Sequence, residues 1–202
     1  MRWPIEKSNI MIKRITDEIS RCLSNDCHLA ALALALTLPD ICGKAEFPSK
    51  NTSARYIDWY EEHIGRFQRE MSKSEEADLA DLPFMSGELV YQLRCSLLHS
   101  GDTDVDRSKI HEEQNQLTEF NLELRRHDDI LAAGSSTYLH YAKTGDVEFR
   151  RYDIGVTYLC KILSNVALKY YENNKEKFDF FSYNIIDLTQ KPQESQESDE
   201  DE

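Results

Sequence analysis

The stretch Ser86 to Asp102, SGELVYQLRCSLLHSGD, constrains the fold more than any other part of the chain. Laid on a helix at about 100° per residue, Leu89, Val90, Tyr91, Leu93, Cys95, Leu97 and Leu98 cover most of the circumference. Gln92, Ser96 and His99 are left as one polar strip. Arg94 falls outside that strip, between Val90 and Leu98, each four residues away. Its guanidinium keeps its charge at any working pH. Burying that charge alone would cost several kcal/mol, so Arg94 must meet a carboxylate, a backbone acceptor or a cleft that receives an anion. Gly101 suits the end of the helix, and His99 falls in the last turn, where the helix dipole welcomes positive charge.

The other segments also read mainly as helix. Ile12, Ile15, Ile19 and Leu23 recur at the spacing of one buried stripe, predicting a first helix from Ile5 to about Leu23. Asn25 or Asp26 can cap the next, CHLAALALALTL, whose alanines and leucines favour a buried central helix. It should end before Pro39 to Gly43, where the chain must turn. Asn51 and Ser53 then lead into a third helix with Tyr56, Trp59, Tyr60, Ile64, Phe67 and Met71 as its core stripe. Arg55, at the unfavourable end of that helix for a cation, needs a partner, and Asp40 is the first candidate. Asp40 could equally serve Arg94, making the junction of the second and third helices a support for the site.

Between these helices and the last one the character changes. Ser72 to Pro83 is an acidic connector, and Leu117 to Tyr152 carries alternating apolar residues, β-formers and a turn at Thr144 to Asp146. We expect a small antiparallel β insert at about 117–152. It could gather Arg125, Arg126, Arg150 and Arg151 into a phosphate-contacting rim, or leave them on a solvated edge balanced by Asp128, Asp129 and Glu148. Asp102, Asp104 and Asp106 alternate, but the glycine and final glutamate of a calcium loop are missing, so no metal site is assigned. His127-Asp128 lacks the companion ligands of a metal-dependent phosphohydrolase. Ile154, Tyr158, Ile162, Val166 and Tyr170 predict a last helix from Asp153 to about Asn174, followed by an aromatic segment, Phe178 to Leu188, that docks back as extended chain. Residues 189–202 read as a disordered acidic tail.

A chain of 202 residues suits one domain, here 1–188. The six tail carboxylates taken off the formal net charge of -13 leave about -7 for the body, so nucleic acid would have to bind at a local cluster. Five cysteines, none spaced Cys-x-x-Cys, read as reduced and mostly buried thiols. The first residues lack the apolar core of a signal peptide, and Leu29 to Leu36 is too short to span a bilayer, so a cytoplasmic protein without membrane contact is expected.

Arg94 and His99, separated by four residues late in a helix, resemble the arginine and histidine signature of the HEPN superfamily. The stretches Leu36 to Lys44, Ala54 to Tyr60 and Leu93 to Gly101 are similar to those of a group of bacterial HEPN-like proteins. The resemblance implies a HEPN-like bundle of four to five helices that acts as a homodimer. It also implies a metal-independent endoribonuclease with no cofactor, in which Arg94 and His99 are catalytic. His99 would be general base or acid, Arg94 would neutralise the phosphorane, and a 2′,3′-cyclic phosphate would result. Asp40, Arg55, Tyr91, Cys95, Ser100 and Asp102 are the binding or supporting candidates. Cys95 stands where that family often has a polar residue, and with the acidic balance it supports a second reading: a non-catalytic HEPN-like module binding nucleotide or a protein partner. Geometry adds a condition. Positions five apart on an α-helix diverge by about 140°. The helix must therefore loosen before His99, Arg94 must reach round, or a second subunit must supply its own pair.

Overall fold

The structure, a computed structural model, describes residues 11–71, 85–110, 117–124, 134–140 and 147–180. In chain order it contains α1 (Met11–Ser24), α2 (His28–Ala35), α3 (Leu38–Glu46) and α4 (Thr52–Tyr60). A π-turn (Glu61–Gly65) joins α4 to α5 (Arg66–Met71), and α6 (Gly87–Cys95) runs into a second π-turn (Ser96–Ser100). The strands β1 (Leu117–Glu123), β2 (Gly134–His140) and β3 (Val147–Gly155) precede α7 (Val156–Asn173). The class is mainly helical with a small sheet. Several expectations fall outside the described residues. They are the start of the first helix near Ile5, the connector at 72–83, Arg125 and Arg126, His127-Asp128, the turn at 144–146, the side chains of Glu148 and Arg150, residues 181–188 and the acidic tail.

The helix ends follow from local chemistry, with two corrections. Neither Asn25 nor Asp26 caps α2: Asn25 donates back to the Arg21 carbonyl at 2.8 Å, Asp26 takes a left-handed φ of 57°, and Cys27 is the residue before the helix. Pro39 does not close a turn but opens α3, because proline in a first turn forfeits no hydrogen bond. The break falls earlier, at Leu36 and Thr37. Taken together, His28–Glu46 is 19 residues long and, by length and composition only, apolar enough to cross a membrane; half of that window is buried inside the fold. Asn51 caps α4 as expected, its Oδ1 accepting from the Ala54 N–H at 2.9 Å.

The first π-turn re-registers the aromatic stripe. Tyr56, Trp59, Tyr60 and Ile64 are buried as expected, but one extra residue in the turn swings Phe67 outward to 49% exposure and brings Gln68 in to 8%. Gln68 Oε1 accepts from Tyr60 Oη at 3.3 Å and from the Met85 N–H at 3.4 Å. The turn is held by Glu61, which accepts from the Gly87 N–H at 2.5 Å and pairs with Arg69 Nη2 at 2.5 Å. The start of α6 is thereby pinned to the turn. Phe67→Ser is accordingly expected to change the unfolding free energy by less than about 0.5 kcal/mol in a denaturant titration. A loss of several kcal/mol would mean that Phe67 packs in the core after all.

The insert is a mixed sheet of order β1-β3-β2. β2 pairs antiparallel with β3, but β1 runs parallel to β3, so the sheet is not simply antiparallel as expected. Parallel pairing is open to β1 because the long connection to β3 passes through β2. Asp153 and Ile154 belong to β3, not to the last helix: Asp153 pairs with Asn121 and Ser135, and Ile154 with Leu122 and Gly134. The stripe of α7 is consequently rotated. Leu159, Leu163, Ala167 and Tyr170 are buried, whereas Tyr158, Ile162 and Val166 are only partly so. Phe178 does dock back against Tyr171, at 5.0 Å between ring centroids, but from a 3-10 turn and not from extended chain.

Beside it, Tyr170 Oη donates to Glu46 Oε2 at 2.5 Å and Lys177 Nζ donates to the same oxygen at 2.7 Å, tying α3 to the end of α7. Lys177, then Tyr170, hold the Glu46 carboxyl below its ordinary value. A depressed folded-state value gives stability that is present above the ordinary carboxylate range and is lost as pH falls through it. Wild type should therefore lose more melting temperature than Glu46→Gln between neutral and acidic pH. Parallel curves for the two proteins would contradict the tie.

Candidate active site

Ser86 starts the site helix, its Oγ accepting from the Leu89 N–H at 3.1 Å. Leu89, Val90, Gln92 and Leu93 face the core, so Gln92, expected on the polar strip, is buried, and Leu98, expected in the core, is 37% exposed. Arg94 is only partly buried. It lies on the side of Tyr56, Tyr91 and Asp40: its charge and that of Asp40 act in opposite directions on both phenols.

The second π-turn brings the pair together. Its hydrogen bonds link residues five apart, so positions that diverge on an α-helix come to lie one above the other. Arg94 Nη1 stands 3.0 Å from His99 Nε2. Of the three arrangements the spacing allows, the described chain contains the loosened helix. Gly101 closes it with φ 67°, the left-handed region in which glycine is at ease, and the Gly101 and Asp102 N–H groups donate to the Leu97 and Ser96 carbonyls. Ser96 Oγ donates to the Asp104 carbonyl at 2.6 Å and latches the following loop.

Asp40 and Arg55 enter from α3 and α4. Asp40 lies in the first turn of α3, where a carboxylate suits the helix dipole. Its Oδ1 accepts from Arg55 Nε at 2.9 Å and pairs with Arg55 Nη2 at 2.7 Å. Its Oδ2 is 4.0 Å from Arg94 Nη2. Asp40 is thus the firm partner of Arg55 and a distant one of Arg94. Gly43, one turn on, permits this approach: a Cβ there would strike the Arg55 backbone carbonyl.

Arg94 is left with most of its donors unspent. Its side chain is 18% exposed, and among the described residues its Nε is buried without a partner and its one hydrogen bond runs to His99. Tyr91 packs edge-on against Tyr56 at 5.2 Å, and burial raises both phenols above their ordinary value. Cys95 is half-buried, and its contact with the Tyr91 hydroxyl also helps to raise that phenol. Ser100 and His99 are exposed at the helix end. Asp102 faces its own loop, Oδ1 accepting from the Asp104 N–H at 2.9 Å, and Asp106 accepts from Ser108 in the same manner. Among the described residues no group of three or more His, Cys, Asp or Glu is placed to hold a metal ion. The structure therefore brings Arg94, His99, Asp40, Arg55, Tyr91 and Cys95 to one neighbourhood, with Ser100 and Asp102 at its rim.

Tyr56, read from the sequence only as core, is the residue missed: it backs Tyr91, and its hydroxyl donates to the Leu36 carbonyl at 3.2 Å. Nothing in an aromatic stripe separates a residue that packs from one that also walls a site. Of the other reactive groups, burial pushes the Cys160 thiol up to about 12 and Cys42 well above its ordinary value, which disqualifies both as nucleophiles. Three cavities among the described residues, of about 750, 660 and 660 Å³, are lined by other residues. Comparison with family models, curated proteins and solved structures returns no match.

Proposed function

We propose that this chain is a metal-independent endoribonuclease of the HEPN type that acts as a homodimer in the cytoplasm. The observation that carries the reading is the guanidinium of Arg94. It lies near the Tyr56 and Tyr91 phenols and beside a carboxylate already spent on Arg55, and among the described residues His99 is the single hydrogen-bond acceptor for its five donors. A phosphodiester supplies what it lacks, two oxygens in the plane of the fork. His99 then takes the proton of a ribose 2′-hydroxyl, the 2′-oxygen bonds to phosphorus, and the bond to the 5′-oxygen breaks as that oxygen takes up the proton from the His99 imidazolium. Arg94 stabilises the charge on the phosphorane. His99, Ser100 and Leu98 stand exposed beside the pair, and a second copy laid across that surface would wall a site that one chain leaves shallow.

Single-stranded RNA should be cut in the presence of a chelator, with DNA of the same sequence left whole. A second reading is a non-catalytic HEPN-like module that binds nucleotide or a protein partner. It is favoured by the Arg94 contact itself, which occupies the imidazole nitrogen that a base needs. Saturable nucleotide binding with no cleavage would select it.

A further inference from the structure

We propose that Arg94 caps His99 in the free protein, and that an oxyanion bound at Arg94 releases the imidazole. The inference rests on the reading of this site as one that receives a phosphate. A guanidinium has donors only, so the 3.0 Å contact engages the lone pair of His99 Nε2. The ring is then neutral, with its proton on Nδ1. Such a nitrogen accepts no proton from a hydroxyl until the contact breaks.

Among the described residues nothing else near Arg94 breaks it. Asp40 is the carboxylate placed to draw the guanidinium away, yet its Oδ1 is committed to Arg55 and its Oδ2 remains 4.0 Å off. The carboxylate orients Arg94 without discharging it. A phosphate competes differently: two charge-assisted, parallel hydrogen bonds replace one bond to a neutral ring. His99 is exposed, so once released its proton moves through water from Nδ1 to Nε2, the tautomer that a free imidazole prefers, and Nδ1 is left with the lone pair that takes the hydroxyl proton. The base is armed only when a phosphate is present. Arg94 is in this sense both the binder of the anion and the sensor for it.

The test reads the ring nitrogens of histidine labelled with ¹⁵N, at near-neutral pH. The His99 signals are identified by their loss in His99→Gln. In the free wild type Nε2 should resonate as an unprotonated nitrogen and Nδ1 as a protonated one. Saturating inorganic phosphate, or a 2′-O-methyl RNA strand that has no hydroxyl to react, should move Nε2 to the protonated position. Arg94→Ala should have Nε2 protonated from the start and respond to neither probe. A protonated Nε2 in the free wild type, or an Nε2 that neither probe moves, overturns the proposal. The wild-type arms stand even if Arg94→Ala fails to fold. A shift of Nε2 in a protein that cuts no RNA keeps the cap and removes the nuclease. Cleavage without any shift removes the cap alone.

Discussion

Arg94→Ala and His99→Ala are each expected to lower the rate of RNA cleavage by about 10²- to 10⁴-fold, the usual worth of a positioned acid or base and of a charge aimed at the transition state. The double variant should be little worse than either single one, because the two groups act on the same phosphorane. Stability should behave differently. His99 is exposed, so its removal should cost less than about 0.5 kcal/mol. Among the described residues Arg94 has one hydrogen bond and a 4.0 Å carboxylate, so its removal should cost about 1 kcal/mol at most. A purely structural Arg94 would give the opposite pattern, a melting temperature that collapses and no activity to lose. Initial rates in chelator, measured beside thermal melts of each variant, separate the two. Cleavage that survives both substitutions contradicts the site.

Gly43→Ala should be among the most damaging single-methyl changes in the chain. The added Cβ would press on the Arg55 carbonyl, its carbon only 2.9 Å away, and a backbone atom cannot rotate aside as a side chain does. α3 must then back away from α4, at a cost of about 2–3 kcal/mol, or roughly 5–10 °C of melting temperature for a chain of this size. Asp40 sits on the same helix less than one turn earlier, so the shift also loosens its hold on Arg55 and the carboxylate that faces Arg94. Activity should fall with stability although Gly43 touches no reacting group. A variant that melts within about 1 °C of wild type would show that the crossing of α3 and α4 is not set here.

What the sequence discloses depends on whether a side chain acts locally. Asn51 and Gly101 reveal helix ends because each satisfies backbone groups within a few residues of itself. The need of Arg55 for a carboxylate is likewise readable, and Asp40 answers it. The π-turns are not readable. No residue type marks them, and the first is held by a carboxylate reaching from Glu61 to the N–H of Gly87, a contact made only after the helices have packed. Each has a consequence that a helical wheel reverses: Phe67 goes out and Gln68 comes in after one, and His99 meets Arg94 because of the other. Pro39 misleads for a related reason, since the same residue that stops one helix is well suited to begin the next. The direction of β1 depends on a pairing with β3 that no local alternation encodes.

The claim that Arg94 and His99 together cleave RNA is tested most directly by the ends they leave. Wild-type protein incubated with a single-stranded RNA and excess chelator should generate fragments ending in a 2′,3′-cyclic phosphate and beginning with a 5′-hydroxyl, and the Arg94→Ala, His99→Ala double variant should generate none. Fragments with 3′-hydroxyl and 5′-phosphate ends, cleavage only after a divalent metal is restored, or equal cleavage by the double variant would contradict it.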